Sequence, residues 1–343
     1  MLQGLAAGAV LLSSPPAAAA AEPPTPKAWV NFVINVQNFR YLSSSAEIVG
    51  KLCDLFSKAG VQGDFYLTGP MVQRYAQSHP EVIEKLKGQG ICTHNRPPHP
   101  IFTGFEGRLR GLSGEALSSR INDFETRALD LATGELHPEE PGGFALIAAL
   151  LGKAPSCVAV PTRDPAIKEA ACRWYKEHGA KAVVWTHKAQ DLGDSPFQLK
   201  HGLLARPSDI TIYQWTARGE AKESLWWNRY RTGEPSTDGQ PHDYIERQVE
   251  SWKGTRPPFV TALIHENNFT RRGKDPWTYT FWMDAEKSVP RSPPFDLDAS
   301  DPSRPRSEAE QGRILQAYAR MIELCAKKYT VVTMADIAAM AGL

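Results

Sequence analysis

The chain lacks the features that would place it in several broad classes. Its five cysteines (Cys53, Cys92, Cys157, Cys172 and Cys325) are scattered over 343 residues, with no Cys-x-x-Cys pair. An odd, dispersed count excludes a disulfide scaffold and a zinc knuckle. Each falls in an expected helix or strand, where it reads as a small buried apolar residue. Bases and acids nearly cancel, 39 against 38, for a formal net charge of +1. Without a clustered basic face, no nucleic-acid partner is expected. Past the first residues no apolar run is long enough to span a bilayer. No Gly-x-Gly-x-x-Gly or P-loop follows an expected strand, so a nucleotide site has no support. There are no internal repeats.

The N-terminus reads differently from the rest. Leu5 to Leu12 is a short apolar core, followed from Pro15 to Ala21 by small-residue cleavage sites. Residues 1–22 are therefore expected to be an export signal, which places the mature chain in the periplasm or outside the cell. No Lys or Arg precedes the apolar stretch, so a Tat-type signal with its start upstream of Met1 is the expected form. Residues 23–343 are expected to form a single domain with insertions at about 217–256 and 268–306.

Hydrophobic patterning in that domain alternates strand and helix. Trp29 to Val36 reads as a buried strand, and Ser44-x-x-Glu47 as a capping box. The helix that it opens carries Ile48, Leu52, Leu55, Phe56 and Ala59 on one face and ends at Gly60. Gly63 to Thr68 is the next strand, and Pro80 starts a helix that ends at Gly88. Ser113 caps a helix with Leu117, Ile121, Phe124, Ala128 and Leu131 inward. Further strands are expected at Ser156 to Val160, Ala182 to Thr186, Phe259 to Ile264 and Tyr329 to Thr333. Helices are expected at Pro165 to Gly179, His242 to Trp252 and Glu308 to Lys327. This rhythm implies parallel βαβ units. An α/β fold, a distorted parallel (β/α) barrel, fits best, with an open doubly wound sheet as the alternative.

Polar clusters fall at the C-terminal ends of three expected strands. Asn35-Val-Gln-Asn38 ends the first, His94 and His99 follow the third, and His265-Glu-Asn-Asn268 ends the Phe259 strand. In parallel barrels that rim holds the active site. Pro97, Pro98 and Pro100 stiffen the loop that carries the two histidines, and neutral imidazole is the commonest protein metal ligand. A lone His pair is more often one packing residue and one surface residue. Three polar clusters at equivalent strand ends change those odds.

These stretches resemble the polysaccharide deacetylases, metal-dependent hydrolases that remove acetyl groups from chitin, peptidoglycan and related glycans. The likeness runs in order through most of residues 29–340. Gly88 to His99 matches the family's Gly-His-Glu-Ile-Gly-Ser-His segment, with His94 on the first metal-binding histidine. Gly60-Val-Gln-Gly-Asp-Phe-Tyr-Leu-Thr-Gly matches the preceding strand, Leu263-Ile-His265 the late Leu-x-His motif, and Val331-Val-Thr-Met the closing strand. The resemblance implies a distorted barrel and a divalent ion, zinc by expectation, held by Asp-His-His. It further implies a metal-bound water activated by an aspartate base, with His265 as general acid.

The chain departs from that pattern where two aspartates should stand, in Ile34-Asn35-Val36-Gln37-Asn38-Phe39. An amide takes up no proton near neutral pH, so Asn35, at the catalytic base position, cannot be a general base. Asn38 retains a carbonyl oxygen as a weak metal ligand. The histidines are spaced His-x4-His rather than His-x3-His. The family's Arg-x-Pro segment survives loosely as Val160-Pro-Thr-Arg163, and its Asp/Trp motif as Trp185 and Asp191, with Lys188 where an acid is expected.

Glu266 is the candidate substitute for the missing acid. Strand neighbours point to opposite faces, which would aim it away from the site, and an ion pair with Arg271 or Arg272 is the bland alternative. Asp64, early in its strand, reads as structural. Trp226, Trp227, Trp277 and Tyr279, in irregular segments, suit stacking on sugar rings or capping small satellite cores. Arg96 suits an acidic sugar or packing on the prolines, and Asn267 joins Arg96, Arg163 and Trp185 as a candidate substrate contact.

Two readings follow. In the first, the chain is a metal-dependent hydrolase of an acylated glycan, with His94, His99 and Asn38 as ligands and His265 and Glu266 in catalysis. In the second, it is a non-catalytic carbohydrate-binding protein on the same fold. The first is preferred, because a degenerate binder has less reason to keep both histidine clusters. Glycosidic cleavage, which would need two facing carboxylates, ranks last.

Overall fold

The computed structural model describes residues 27–185, 197–205, 210–211, 241–251 and 257–343. Trp29–Val36 is β1. Its residues WVNFVINV are β-branched, aromatic and amide, and all but the first are buried, as a central parallel strand requires. β2 (Asp64–Leu67) and β3 (Gly90–His94) follow. β4 (Arg127–Leu129) and β5 (Leu136–Pro141) pair only with each other. Then come β6 (Cys157–Ala159), β7 (Ala182–Val184), β8 (Leu199–Lys200), β9 (Leu203–Ala205), β10 (Ile210–Thr211) and β11 (Phe259–His265). β12 (Arg271–Gly273) and β13 (Ser303–Pro305) form a second small ribbon, and β14 (Thr330–Val331) lies beside the start of β1.

The main sheet runs β10-β11-β1-β2-β3-β6-β7-β9-β8. All its pairings are parallel except β8 with β9. It curls into a half-barrel with helices outside. β10 and β8 end the path without pairing to each other among the described residues. The expected distorted barrel is therefore what forms, in an open version.

Alternation along the strands separates two cores. Phe32, Ile34 and Val36 of β1 face outward and pack with Leu52 and Phe56 of α1 (Leu42–Lys58). Val33 faces inward and packs with Tyr66, Cys92, Cys157, Ala182, Leu204 and Leu263, which fill the barrel interior. All five cysteines are buried free thiols.

Three local expectations give way to tertiary contacts. The Ser44 capping box does not form. α1 starts earlier, after Tyr41 and without a side-chain cap, because Ser45 is drawn inward to the Tyr75 hydroxyl at 2.7 Å. α4 (Gly114–Thr126) stops short of Ala128 and Leu131. The backbone of Gly142 and Gly143 lies so close to residues 125–128 that a Cβ on Gly142 would stand 2.3 Å from the Arg127 carbonyl, and this approach pulls residues 127–129 into β4. Two helices join those expected, α2 (Gly69–Ser78) and α5 (Gly143–Leu151). α3 (Pro80–Lys87) and α6 (Pro165–Glu177) fall where their prolines predict. Of the expected 217–256 insertion, only Pro241–Ser251 lies within the described residues, and it is helical. Residues 268–306 carry β12, β13 and a short helix, Thr278–Phe281, rather than one plain loop.

Asp64 closes the far end of the barrel. Fully buried, it accepts from Asn31 Nδ2 at 2.7 Å and from the Met334 amide at 2.8 Å, tying β1, β2 and the C-terminal helix together. Gly90 lies against it, where a Cβ would come within 2.1 Å of its Oδ1. Removing the acceptor strands two buried donors, so Asp64→Ala is expected to cost about 3 kcal/mol of stability. Denaturant unfolding measures this. A loss smaller than about 1 kcal/mol would show that the carboxylate does not hold the barrel floor.

Candidate functional site

The strand alternation that fills the barrel continues to its rim and selects the side chains of the site. Two residues beyond Val33 comes Asn35, and two beyond Cys92 comes His94. Asn35 is paired in register with Tyr66 on one side and His265 on the other. Asn35, Tyr66, His94 and Leu263 line a cleft of about 680 Å³ at the C-terminal strand ends, which also takes in Arg96, Thr162, Arg163 and Trp185.

His94 is 4% exposed, and its Nε2 has no hydrogen-bond partner among the described residues. Burial, then the neighbouring charges of Arg96 and His265, push its pKa well below the usual histidine value, with a weak counter-pull from the Val36 carbonyl. It is a neutral imidazole at neutral pH. His265 is equally buried. Gln37, two residues beyond Asn35 on the same face, places its amide nitrogen 3.1 Å from His265 Nδ1. Asp275 Oδ1 stands 3.9 Å from the same Nδ1 and Lys287 pairs with the Asp275 carboxylate. Burial alone would raise the Asp275 pKa, but Lys287 and His265 hold it well below the usual carboxylate range.

The opposite parity carries Glu266 away from the cleft. Glu266 is fully buried between β1 and α1, where one oxygen accepts from the Gln37 and Asn38 amides at 2.6 Å each and from Ser45 Oγ at 3.1 Å. It makes no ion pair with Arg271 or Arg272, which instead bind Asp301 and Glu310. The Asn38 side chain is fully buried and lines neither the cleft nor the small cavity beneath it. Glu266 is thus a clamp on the turn after β1, and not a group facing the cleft.

His99 also turns away. Its Nδ1 accepts from the Ile101 amide at 3.2 Å, and its Nε2 faces Glu125 Oε1 at 3.2 Å. Glu125, 1% exposed, is further held by the Tyr175 hydroxyl at 2.5 Å. His94 and His99 line an enclosed cavity of about 40 Å³, together with Gln37, Arg96 and Glu125.

The candidate ligands do not fit a divalent ion. His94 offers an unpartnered nitrogen and His99 Nε2 stands against the Glu125 carboxylate without a hydrogen bond among the described residues, while Asn38 and Glu266 line neither the cleft nor the cavity that the two histidines share. Among the described residues no three His, Cys, Asp or Glu side chains stand together as a metal-holding group. A tight divalent site needs several converging anionic or imidazole donors. This rim provides the imidazoles of His94 and His265, the second held by Gln37 and Asp275, and the neutral amide of Asn35.

The other candidates divide as well. Arg96, Arg163 and Trp185 line the cleft, with the Arg96 guanidinium 5.9 Å above the Phe102 ring. Asn267 is buried, with its amide turned to Asp275 at 3.5 Å. Trp277 is 3% exposed and packs on Phe39, which makes it part of a core. Trp226 and Trp227, like Lys188 and Asp191, lie outside the described residues.

No family model and no curated protein matches the chain. Solved structures do. A presumptive polysaccharide deacetylase from Mycobacterium smegmatis is 13% identical, with 96% of this chain and 94% of that one covered and a TM-score of 0.48. A PuuE allantoinase is 12% identical over 93% of each chain, with a TM-score of 0.47. A CE4 family pseudoenzyme from Bacillus anthracis is 11% identical over 92% of this chain and 66% of that one, with a TM-score of 0.39. At such identities and scores these likenesses add no weight to the strand order and side chains described above.

Sequence reasoning missed Gln37, Asp275 and Lys287 behind His265, and Glu125 behind His99. Gln37 alone had a local signal, since it shares the strand parity of Asn35.

Burial raises the Glu266 pKa from 4.5 to about 7, against the opposing pull of its hydrogen bonds. The folded state therefore holds this proton more tightly than the unfolded chain does. Its contribution to stability is complete below about pH 4.5 and is lost as pH rises through about 7. Glu266→Gln keeps the accepting oxygen and removes the titration. The stability of the wild type relative to this variant is expected to fall by about 3 kcal/mol between pH 5 and pH 8. Comparing the two proteins cancels His94, whose depressed pKa acts in the opposite sense. Parallel unfolding curves across that range would show that Glu266 does not titrate there.

Proposed function

We propose that this chain is a carbohydrate-binding protein on a deacetylase-like (β/α) barrel, recognising a glycan in the cleft at the C-terminal strand ends. One observation carries the reading: strand parity aims an amide, Asn35, into the cleft beside His94, and carries Glu266 to the other side of the strand. The cleft thereby has the makings of a sugar site, namely an aromatic ring, hydroxyls, an amide and guanidinium groups around a concave space. Among the described residues its floor lacks the acid base that the family resemblance requires. On the sequence of residues 1–22 we place the protein outside the cytoplasm, where such glycans occur. Among the described residues no helix is long and apolar enough to cross a membrane.

The hydrolase reading keeps one supporting observation, the Asp275 carboxylate behind His265. The two readings separate on the same samples. Calorimetry with cell-wall and plant oligosaccharides is expected to give binding that Trp185→Ala weakens about tenfold, the loss of a stacked ring. Acetate release from acetylated forms of the same oligosaccharides is expected to stay at the level of the His265→Ala variant. Acetate release that depends on His265 would overturn the binding-protein reading in favour of the hydrolase.

A further inference from the structure

Charge in the cleft is one-sided among the described residues. Arg96 reaches it from the loop after β3, Arg163 from the loop after β6, and Lys168 from the first turn of α6. The one carboxylate in that wall, Glu169, is bound at 2.8 Å to Arg173 of its own helix. At the floor, position 35 contributes an amide and no negative charge. Trp185 stands among these cations, with Lys168 Nζ 4.6 Å and Lys200 Nζ 5.8 Å from its ring centre. Thr162, held by Glu106 at 2.9 Å, fixes the loop that presents Arg163. Among the described residues, a neutral glycan would leave Arg163 and Lys168 facing it without a carboxylate to pair with. An anionic one would meet them in a concave wall that focuses their field.

Resting on the glycan-binding reading, we propose that the ligand is an acidic glycan, a uronic-acid-bearing chain whose ring carboxylate is bound by Arg163 and Lys168 beside Trp185. The guanidinium fork of Arg163 matches a planar carboxylate with two parallel hydrogen bonds. The ammonium of Lys168 adds a point charge at the edge of the aromatic surface. The same amide at position 35 that removes the catalytic base removes the repulsion that an aspartate there would exert on such a ligand.

Calorimetry on the whole chain tests this with four probes: an oligouronide, the same oligomer with its carboxyl groups reduced to alcohols, a chitin oligosaccharide, and a sulfated oligosaccharide of matched charge. The oligouronide is expected to bind about tenfold tighter than its reduced form, the worth of one charge-assisted pair. Raising the salt concentration narrows that gap. The double variant Arg163→Gln, Lys168→Gln brings the two affinities together, and both positions lie on the cleft wall, where an amide leaves the core unchanged. Equal or tighter binding of the reduced or chitin oligomer overturns the acidic-glycan assignment while leaving the glycan reading intact. Tighter binding of the sulfated oligomer overturns the carboxylate. No binding of any probe overturns both.

Discussion

Everything at the rim depends on the two-residue period of β1, β3 and β11 and on the register that locks β1 to β11. Asn35 is paired with His265, and the alternation that buries Val33 inside the barrel and Ile34 outside it cannot be shifted by one residue without exchanging the two cores. The same parity decides which polar side chains meet. Asn35, Gln37, His94 and His265 share the inner side. Glu266 takes the outer side, where it gathers two backbone amides and the Ser45 hydroxyl into one buried clamp.

This arrangement accounts for the balance between what resembles the deacetylases and what does not. The barrel, the rim and a buried histidine on each side of β1 and β2 are present. The acid is missing from the inner face, and the one nearby carboxylate of the right strand is committed to structure on the outer face. His99 Nε2 faces Glu125, which Tyr175 and Asn95 hold in a buried network. Those commitments leave a neutral His94, a His265 positioned by Gln37 and Asp275, and a broad cleft whose described charges are mainly positive.

Much of this was legible in the sequence wherever the information was periodic. The strands Trp29–Val36 and Phe259–His265, and the placing of polar clusters at their ends, follow from runs of β-branched residues with known parity. Alternation aimed Glu266 away from the cleft, but its place at the strand end made it the expected substitute acid, and the structure holds it as a clamp instead. What the sequence did not disclose were partners brought together from far along the chain, such as Gln37 with His265 across 228 positions and His99 with Glu125. Local rules also failed where a distant group outbid them. Ser44-x-x-Glu47 has the form of a capping box, yet the helix begins before it, because Ser45 binds Tyr75 and Glu266. The expected helix through Leu131 stops at Thr126 because two glycines bring another backbone against it.

Metal binding by the purified mature protein tests the central claim most directly. Zinc titration followed by calorimetry, beside elemental analysis of the protein as isolated, is expected to give no stoichiometric uptake, since neutral imidazoles and an amide with no converging third ligand among the described residues hold a divalent ion weakly. One equivalent of zinc, nickel, cobalt or manganese, retained through dialysis and lost in His94→Ala, would contradict the account and return the chain to the metal-dependent hydrolases.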